Sequence, residues 1–259
     1  MNAWDLVAVF LGGGIGGIAV KVLDYLHSEL QSRRQASRSS RDLVNLHLDP
    51  ILKAADELVG KTRSLAASDF KELGRLGSYD NPDFKSLMTY GDILFLYAQL
   101  WSKIQILRME SVYVNLGSSK DGKRLRSFFS AMESKRTRVV DRAWQRGIGE
   151  SLIDQTDSSL RTMTYYEFVE EYLESKKLRD WFKPLVVTLQ RIEHTRERQK
   201  LLVYGVIVHA LIDTLDPKHL VSRKSPGWGN KLTKKSRRNL IYRVFKIYLP
   251  FVKNPHQYI

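Results

Sequence analysis

The sequence contains no cysteine among its 259 residues. This absence excludes a disulfide framework, thiolate metal sites and cysteine nucleophiles, and it is compatible with a reducing compartment. Acidic residues are missing from one end of the chain, because eleven Lys and Arg but no Asp or Glu follow Asp216. The whole chain carries 42 Lys and Arg against 28 Asp and Glu, a formal net charge of +14. Such an excess favours contact with phosphates, whether of lipid headgroups or of nucleic acid.

The recurrent sequence motifs of enzyme chemistry are also missing. The chain has no Gly-x-Ser-x-Gly elbow, no Walker A loop, no zinc-binding spacing and no His placed three residues after a Glu. We therefore expect no metal and no cofactor. The sequence offers no positive argument for an enzyme.

Alternating patterns typical of β-strands are short or missing, and the sequence shows no internal repeat. Hydrophobic residues make up 43% of the chain, which is enough to bury a core. Asp49 followed by Pro50 is typical of a helix start, and Thr164 with Glu167 fits a capping box. Apolar residues recur at helical spacing after both patterns. We predict an all-α fold with an antiparallel helical bundle over residues 42–217.

An uncharged, glycine-rich segment lies near the N-terminus. No charge occurs from Leu6 to Val20. A helix that continues to Leu26, with the ammonium of Lys21 snorkelling, spans about 30 Å, the thickness of the hydrocarbon core. We predict that residues 1–31 form a single transmembrane anchor. The alternatives are a buried helix of a globular domain and a phosphate-binding glycine loop, and the loop would lack the Walker lysine.

The residues after this segment are basic. Residues 32–41 form a serine-rich stretch that predicts a basic linker and contains Arg33, Arg34, Arg38 and Arg41. Under the positive-inside rule, this asymmetry places the N-terminus outside and the bulk of the chain in the cytoplasm. Small residues four apart within the anchor predict close helix packing and therefore a homo-oligomer. These residues are Gly12 with Gly16 and Gly13 with Gly17.

Residues 218–259 form a basic tail. Residues 239–252 place apolar side chains at helical spacing between basic ones, which predicts an amphipathic element. We expect its cations to contact anionic membrane lipids or, alternatively, the phosphates of nucleic acid. These cations are Lys231, Lys234, Lys235, Arg237, Arg238, Arg243 and Lys246. If Phe245 is buried against the bundle instead, the tail is part of the core and neither interpretation of it holds.

Two pairs of polar residues are four apart on predicted helices and could form a polar core. Arg146 and Glu150 flank a tight glycine segment, and a structural ion pair is the favoured interpretation. His209 and Asp213 could be an acid/base couple, although a buried core histidine is the favoured interpretation. The apolar run around His209, residues 201–212, is either a core helix or a second membrane segment.

Four stretches of the sequence carry a resemblance to a known family. They are residues 48–65, 94–110 and 146–152, and the tract from Phe168 to Pro217. They resemble a family of uncharacterised bacterial proteins that are built as an N-terminal hydrophobic helix followed by a helical cytoplasmic domain. The resemblance covers roughly residues 43–217. It implies the helical architecture and, with the predicted anchor, a location at the inner membrane of a bacterial cell. It brings no catalytic residue and no assigned activity.

Three classes of function follow from these observations. The leading one is a membrane-anchored, non-enzymatic interaction or effector module that self-associates, binds an unidentified protein partner and contacts membrane lipids through its tail. The second is a nucleic-acid-binding helical protein that uses the tail, with Trp228, Tyr242 and Tyr248 as stacking groups. An enzyme that uses the surroundings of His209 or Glu150 is the third.

Overall fold

The computed structural model describes the backbone of residues 3–75, 84–156, 159–228 and 231–259, and it describes side chains from residue 29 onward except for a few beside the gaps. These parts of the chain are mostly helical. The α-helices are α1 (Ala3–Ala67), α2 (Phe84–Glu110), α3 (Lys120–Met132), α4 (Arg142–Ser151), α5 (Tyr165–Glu174), α6 (Lys176–Gln190), α7 (Thr195–Leu215), α8 (Lys234–Asn239) and α9 (Lys246–Tyr248). Shorter helical turns are Lys71–Arg75, Leu116–Ser118, the π-helical Leu240–Phe245 and Pro255–Tyr258.

Helices α1, α2 and α7 form the centre of the fold. Both α2 and α7 pack on α1, and α4 packs on α2. Every residue from Leu201 to Ile212 in α7 is buried. Burial of such a continuous apolar run removes a large area from water, which is the main favourable contribution to folding. Residues 201–212 are therefore a core helix.

A short β-hairpin interrupts the helices and departs from the all-α prediction. Strand β1 (Ile153–Thr156) pairs antiparallel with β2 (Ser159–Thr162), and Asp154 lies opposite Arg161. The guanidinium of Arg161 lies 2.6 Å from the carboxylate of Asp154 and 2.9 Å from that of Glu167, in the capping box of α5. Strands of four residues are too short to show a clear alternation in the sequence.

The single transmembrane helix predicted for residues 1–31 is contradicted. In the part of the chain that the structure describes, no helix is long and apolar enough to cross a membrane. The uncharged run measures 15 residues, or about 22 Å of helix, and a longer span has to include the charged Lys21 and Asp24. The membrane-spanning, single-pass fold is therefore wrong. The glycines predicted to pack between helices are Gly12, Gly13, Gly16 and Gly17. They lie in the segment up to residue 28, whose side-chain packing is outside the described part.

The predicted basic linker is also helical and partly docked. Helix α1 runs through residues 32–41, and Pro50 lies inside it, so the helix start predicted at Asp49 is wrong. Ser40 is fully buried, and its hydroxyl contacts the carbonyl oxygen of Leu116 at 3.1 Å and Oγ of Ser119 at 2.8 Å. These hydrogen bonds fix the second half of α1 to the start of α3.

The basic tail is part of the core. Leu240, Val244 and Leu249 are fully buried in the bundle, and Phe245 is only 2% exposed. Its ring stacks on Tyr258 with the ring centroids 5.9 Å apart, and Tyr258 in turn packs edge-on against His209 in α7. Neither tail interpretation therefore holds as it was stated, because the apolar face of the tail is already covered by the bundle.

Candidate anion-binding groove

A cavity of about 970 Å³ lies between the end of α2, helix α3, the start of α4 and the C-terminal segment. We call it the basic groove and define it by its charged lining. Six Lys and Arg face two acidic residues there. The lining cations are Arg108, Arg126, Lys135, Arg138, Arg142 and Arg146, and the acidic residues are Glu133 and Asp141.

Helix caps on both sides hold the walls of the basic groove. Ser119 caps α3 by accepting a hydrogen bond from the backbone N–H of Gly122 at 3.2 Å. Asp141 caps α4 in the same way, at 3.1 Å from the N–H of Ala143. Between the two helices, the buried hydroxyl of Thr137 donates to the carbonyl of Ala131. Each cap satisfies an otherwise unpaired backbone donor, so the helix ends are fixed in place.

Glu133 neutralises two of the arginines. Its carboxylate lies 2.6 Å from Nη1 of Arg108 and accepts from Nε and Nη2 of Arg146 at 3.2 and 2.9 Å. Burial alone would raise the pKa of Glu133, but the hydrogen bonds and charges of Arg146 and Arg108 outweigh it and lower this pKa below its usual value. Glu133 therefore stays ionised and positions both guanidinium groups.

Arg146 and Glu150, predicted as a pair, are instead at two ends of a longer network. Arg146 bonds to Glu133, whereas the carboxylate of Glu150 accepts from Nε2 of Gln105 at 2.6 Å. Gln105 also accepts from Arg108 at 2.7 Å, which joins the two halves. Connected polar networks of this kind orient side chains more firmly than isolated pairs.

Three other cations of the basic groove keep their charge available. Arg126, Lys135 and Arg142 are exposed, and within the described residues they make no ion pair. Arg138 lies 2.5 Å from Asp141, so that acidic residue is already engaged. Guanidinium groups present several donors in a planar fork that matches phosphate oxygens. The basic groove therefore has the charge and the donors to bind a phosphate-bearing ligand.

Aromatic side chains accompany these charges. Tyr113 is 97% exposed, and its chain neighbours Ser111 and Val114 line the basic groove, whereas Tyr113 itself does not. Tyr248 lines the groove from the C-terminal segment and is half-buried. A basic surface with accessible aromatic rings is the usual composition of sites for unpaired nucleic acid.

The structure disperses the seven cations predicted for the tail. Lys231 lies 3.1 Å from Asp69, and Arg237 donates to the carbonyl of Leu232 at 3.2 Å. The other five are exposed. They are Lys234, Lys235, Arg238, Arg243 and Lys246. None of the seven lines the basic groove, although Tyr248, two residues after Lys246, does.

His209 and Asp213 lie close together, without a short contact. Nε2 of His209 is 3.7 Å from Oδ1 of Asp213, and Nε2 of His219 is 3.6 Å from the same oxygen. Burial lowers the pKa of His209, and the nearby Asp213 opposes this effect only in part. Within the described residues, no group of three or more acidic or imidazole side chains is arranged to hold a metal ion. The geometry agrees with the core-histidine interpretation.

Sequence reasoning missed the rim of the basic groove. The apolar residues around Arg126, Lys135, Arg138 and Arg142 recur at helical spacing, so the sequence predicts a solvated helix face for these four, which is where isolated charges usually lie. The available signal was charge density, because residues 120–146 contain nine Lys and Arg but three Asp and Glu. Only the fold brings these residues around one cavity.

No protein-family model, no curated protein and no solved structure matches this chain. The resemblance to a bacterial family over residues 43–217 therefore stays a prediction. The function has to be argued from the site.

Proposed function

We propose that this protein is a non-enzymatic nucleic-acid-binding module that holds a phosphate backbone in the basic groove. The observation that carries the proposal is the unneutralised rim: Arg126, Lys135 and Arg142 are exposed around one cavity, without an ion pair in the described residues. Phosphates released from their counterions by such cations give affinity without any need for catalysis.

The shape of the site favours a narrow polyanion over a membrane surface. Headgroups of a bilayer form a plane, so they meet the exposed rim cations of a concave groove more easily than the partly buried Arg108 and Arg146 beside Glu133. Firm docking on a bilayer would also need an apolar face that enters the headgroup boundary. In the tail that face is buried, as the 2% exposure of Phe245 shows. A linear chain of phosphates can follow the groove.

The test measures binding of full-length protein to a fluorescently labelled oligonucleotide by anisotropy, over a series of salt concentrations. The variant Arg126→Gln/Lys135→Gln/Arg142→Gln removes three rim charges. We expect weaker binding and a shallower plot of log affinity against log salt, by about 2 in slope, because each lost phosphate contact contributes roughly 0.7 on a single strand.

The matched control is Lys183→Gln/Arg191→Gln/Arg196→Gln, which removes three exposed cations that do not line the groove. It lowers the net charge equally and should leave the slope nearly unchanged. Equal losses in both variants, or no oligonucleotide binding near physiological salt, would refute the proposal. Binding to phosphatidylglycerol vesicles without binding to oligonucleotides would assign the groove to lipid headgroups instead.

A further inference from the structure

We infer that the basic groove binds a phosphorylated end of a nucleic-acid strand, with Gln145 donating a hydrogen bond to the terminal phosphate; the inference rests on the proposed function. Gln145 lies in α4 and is only 2% exposed. The Nε2 atom of its side chain has no hydrogen-bond partner among the described residues. Leaving a buried amide donor unpaired is unfavourable, and an acceptor oxygen supplied by a ligand removes this cost.

A small pocket connects Gln145 with the basic groove. We call it the inner pocket, and its lining includes Trp101, Gln145 and Tyr204. Its volume is about 10 Å³, which is room for one water-sized group. The inner pocket and the basic groove share four lining residues, Arg108, Phe129, Glu133 and Arg146. A single oxygen atom of a ligand therefore fits beside the amide of Gln145, while the rest of the ligand stays in the groove.

Two guanidinium groups lie where the two cavities join. The carboxylate of Glu133 engages Nη1 of Arg108 at 2.6 Å, and it accepts from Nε and Nη2 of Arg146 at 3.2 and 2.9 Å. Each guanidinium carries five N–H donors, so both side chains keep donors for a ligand. Together with the amide of Gln145, three side chains thus offer donors at one place. A phosphate group with three terminal oxygens can accept from all of them.

The charge of the basic groove suits a terminal phosphate better than an internal one. Six cations and two carboxylates line the groove, so four positive charges remain around one cavity. An internal phosphodiester carries one negative charge, whereas a phosphomonoester carries about 1.5–2 near pH 7 and presents three acceptor oxygens. Electrostatic attraction grows with the product of the charges, so the end of a strand gains more from this cluster than its middle does.

The experiment measures binding of full-length protein to internally labelled oligo(dT) strands by fluorescence anisotropy. The strands are a 12-mer with hydroxyl ends, the same 12-mer with a 5′-phosphate or a 3′-phosphate, and a 13-mer with hydroxyl ends. The 13-mer carries one added internal phosphate and so controls for charge alone. We expect one of the phosphorylated strands to bind at least about tenfold more tightly than the 13-mer, the usual effect of hydrogen bonds to a charged group.

Gln145→Met tests the role of the amide, because it keeps the length of the side chain and removes the N–H donor. It should reduce the preference for the phosphorylated end to less than about threefold. Thermal stability should not fall, since Nε2 of Gln145 has no partner to lose among the described residues. Gln99→Met is the matched control and should keep the full preference. Gln99 also has an unpaired buried side-chain atom, but it lines neither the groove nor the inner pocket.

Equal binding of the phosphorylated strands and the 13-mer would overturn the inference and leave the proposed function standing. A preference that survives in Gln145→Met, or that falls equally in Gln99→Met, would also overturn it. Thymidine monophosphate that displaces the phosphorylated strand at equal concentration would identify a free nucleotide, and not a strand end, as the ligand. If no strand binds, the proposed function itself fails.

Discussion

His209 is a titratable side chain held almost entirely out of water, with 3% of its side chain exposed. Burial disfavours the imidazolium form, and the partial charge compensation from Asp213 does not reverse the lowered pKa. In the unfolded chain, His209 takes up a proton near its usual pKa of 6.5. As the pH falls below that value, the unfolded state therefore binds more protons than the folded state, and stability decreases.

We predict that the free energy of unfolding falls between pH 7 and pH 5, with a contribution from His209 of up to about 1.4 kcal/mol per pH unit. His209→Gln keeps a polar side chain but does not titrate, so its stability should depend less on pH over this range. The measurement is urea denaturation at a series of pH values. His194→Gln, which replaces an exposed histidine, is the control and should keep the wild-type pH dependence. An unchanged pH profile in His209→Gln would show that His209 is not responsible.

At the scale of elements, glycines determine how closely helices approach. In α4, a Cβ added at Gly149 would lie 2.7 Å from the backbone carbon of Trp101 in α2, and a backbone cannot give way as a side chain can. In α1, a Cβ at Gly60 would meet nothing within 4 Å. The two glycines therefore have opposite roles, although both lie within helices.

We predict that Gly149→Ala destabilises the protein by about 1–3 kcal/mol, because α2 and α4 must separate to make room. Gly60→Ala should stabilise it by about 0.5–1 kcal/mol, because alanine loses less backbone entropy in a helix than glycine does. Thermal denaturation of both variants checks the pair. A Gly149→Ala variant as stable as the wild type would mean that α4 is not packed as closely as described. Since α4 carries Arg142 and Arg146, this variant should also weaken oligonucleotide binding.

Local chemistry made part of the fold predictable. The capping box of Thr164 and Glu167 is present as predicted, because it depends on residues three apart. The helix start predicted at Asp49 is wrong, because the adjacent residues Asp49 and Pro50 cannot show that the chain preceding them is already helical. The candidate site was harder to predict from the sequence. Arg146 was predicted as part of a polar core, but its partner Glu133 is 13 residues away and belongs to a different element.

At the scale of the whole molecule, the C-terminal segment, residues 218–259, has two roles. It exposes most of its charged side chains at the surface and buries apolar side chains in the core. From Lys218 onward every charged side chain is basic, and most of them are exposed. The apolar side chains of the same segment close the bundle over α7, through Phe245 and Tyr258. Residues 218–259 thus complete the core and at the same time add positive charge to its surface. Sequence periodicity shows that an apolar face exists, but it cannot show whether protein or lipid covers that face.

We predict that Phe245→Ala destabilises the protein by about 3–5 kcal/mol, the usual cost of removing a buried aromatic ring from a core. Thermal denaturation measures the loss. Ile247→Ala is the control, because Ile247 is 54% exposed two residues away, and its removal should change stability by less than about 0.5 kcal/mol. A tail that only docked on lipid would give the same small change for both variants. A large loss confined to Phe245→Ala would instead place the basic segment within the folded core, so that its charges have fixed positions on the surface.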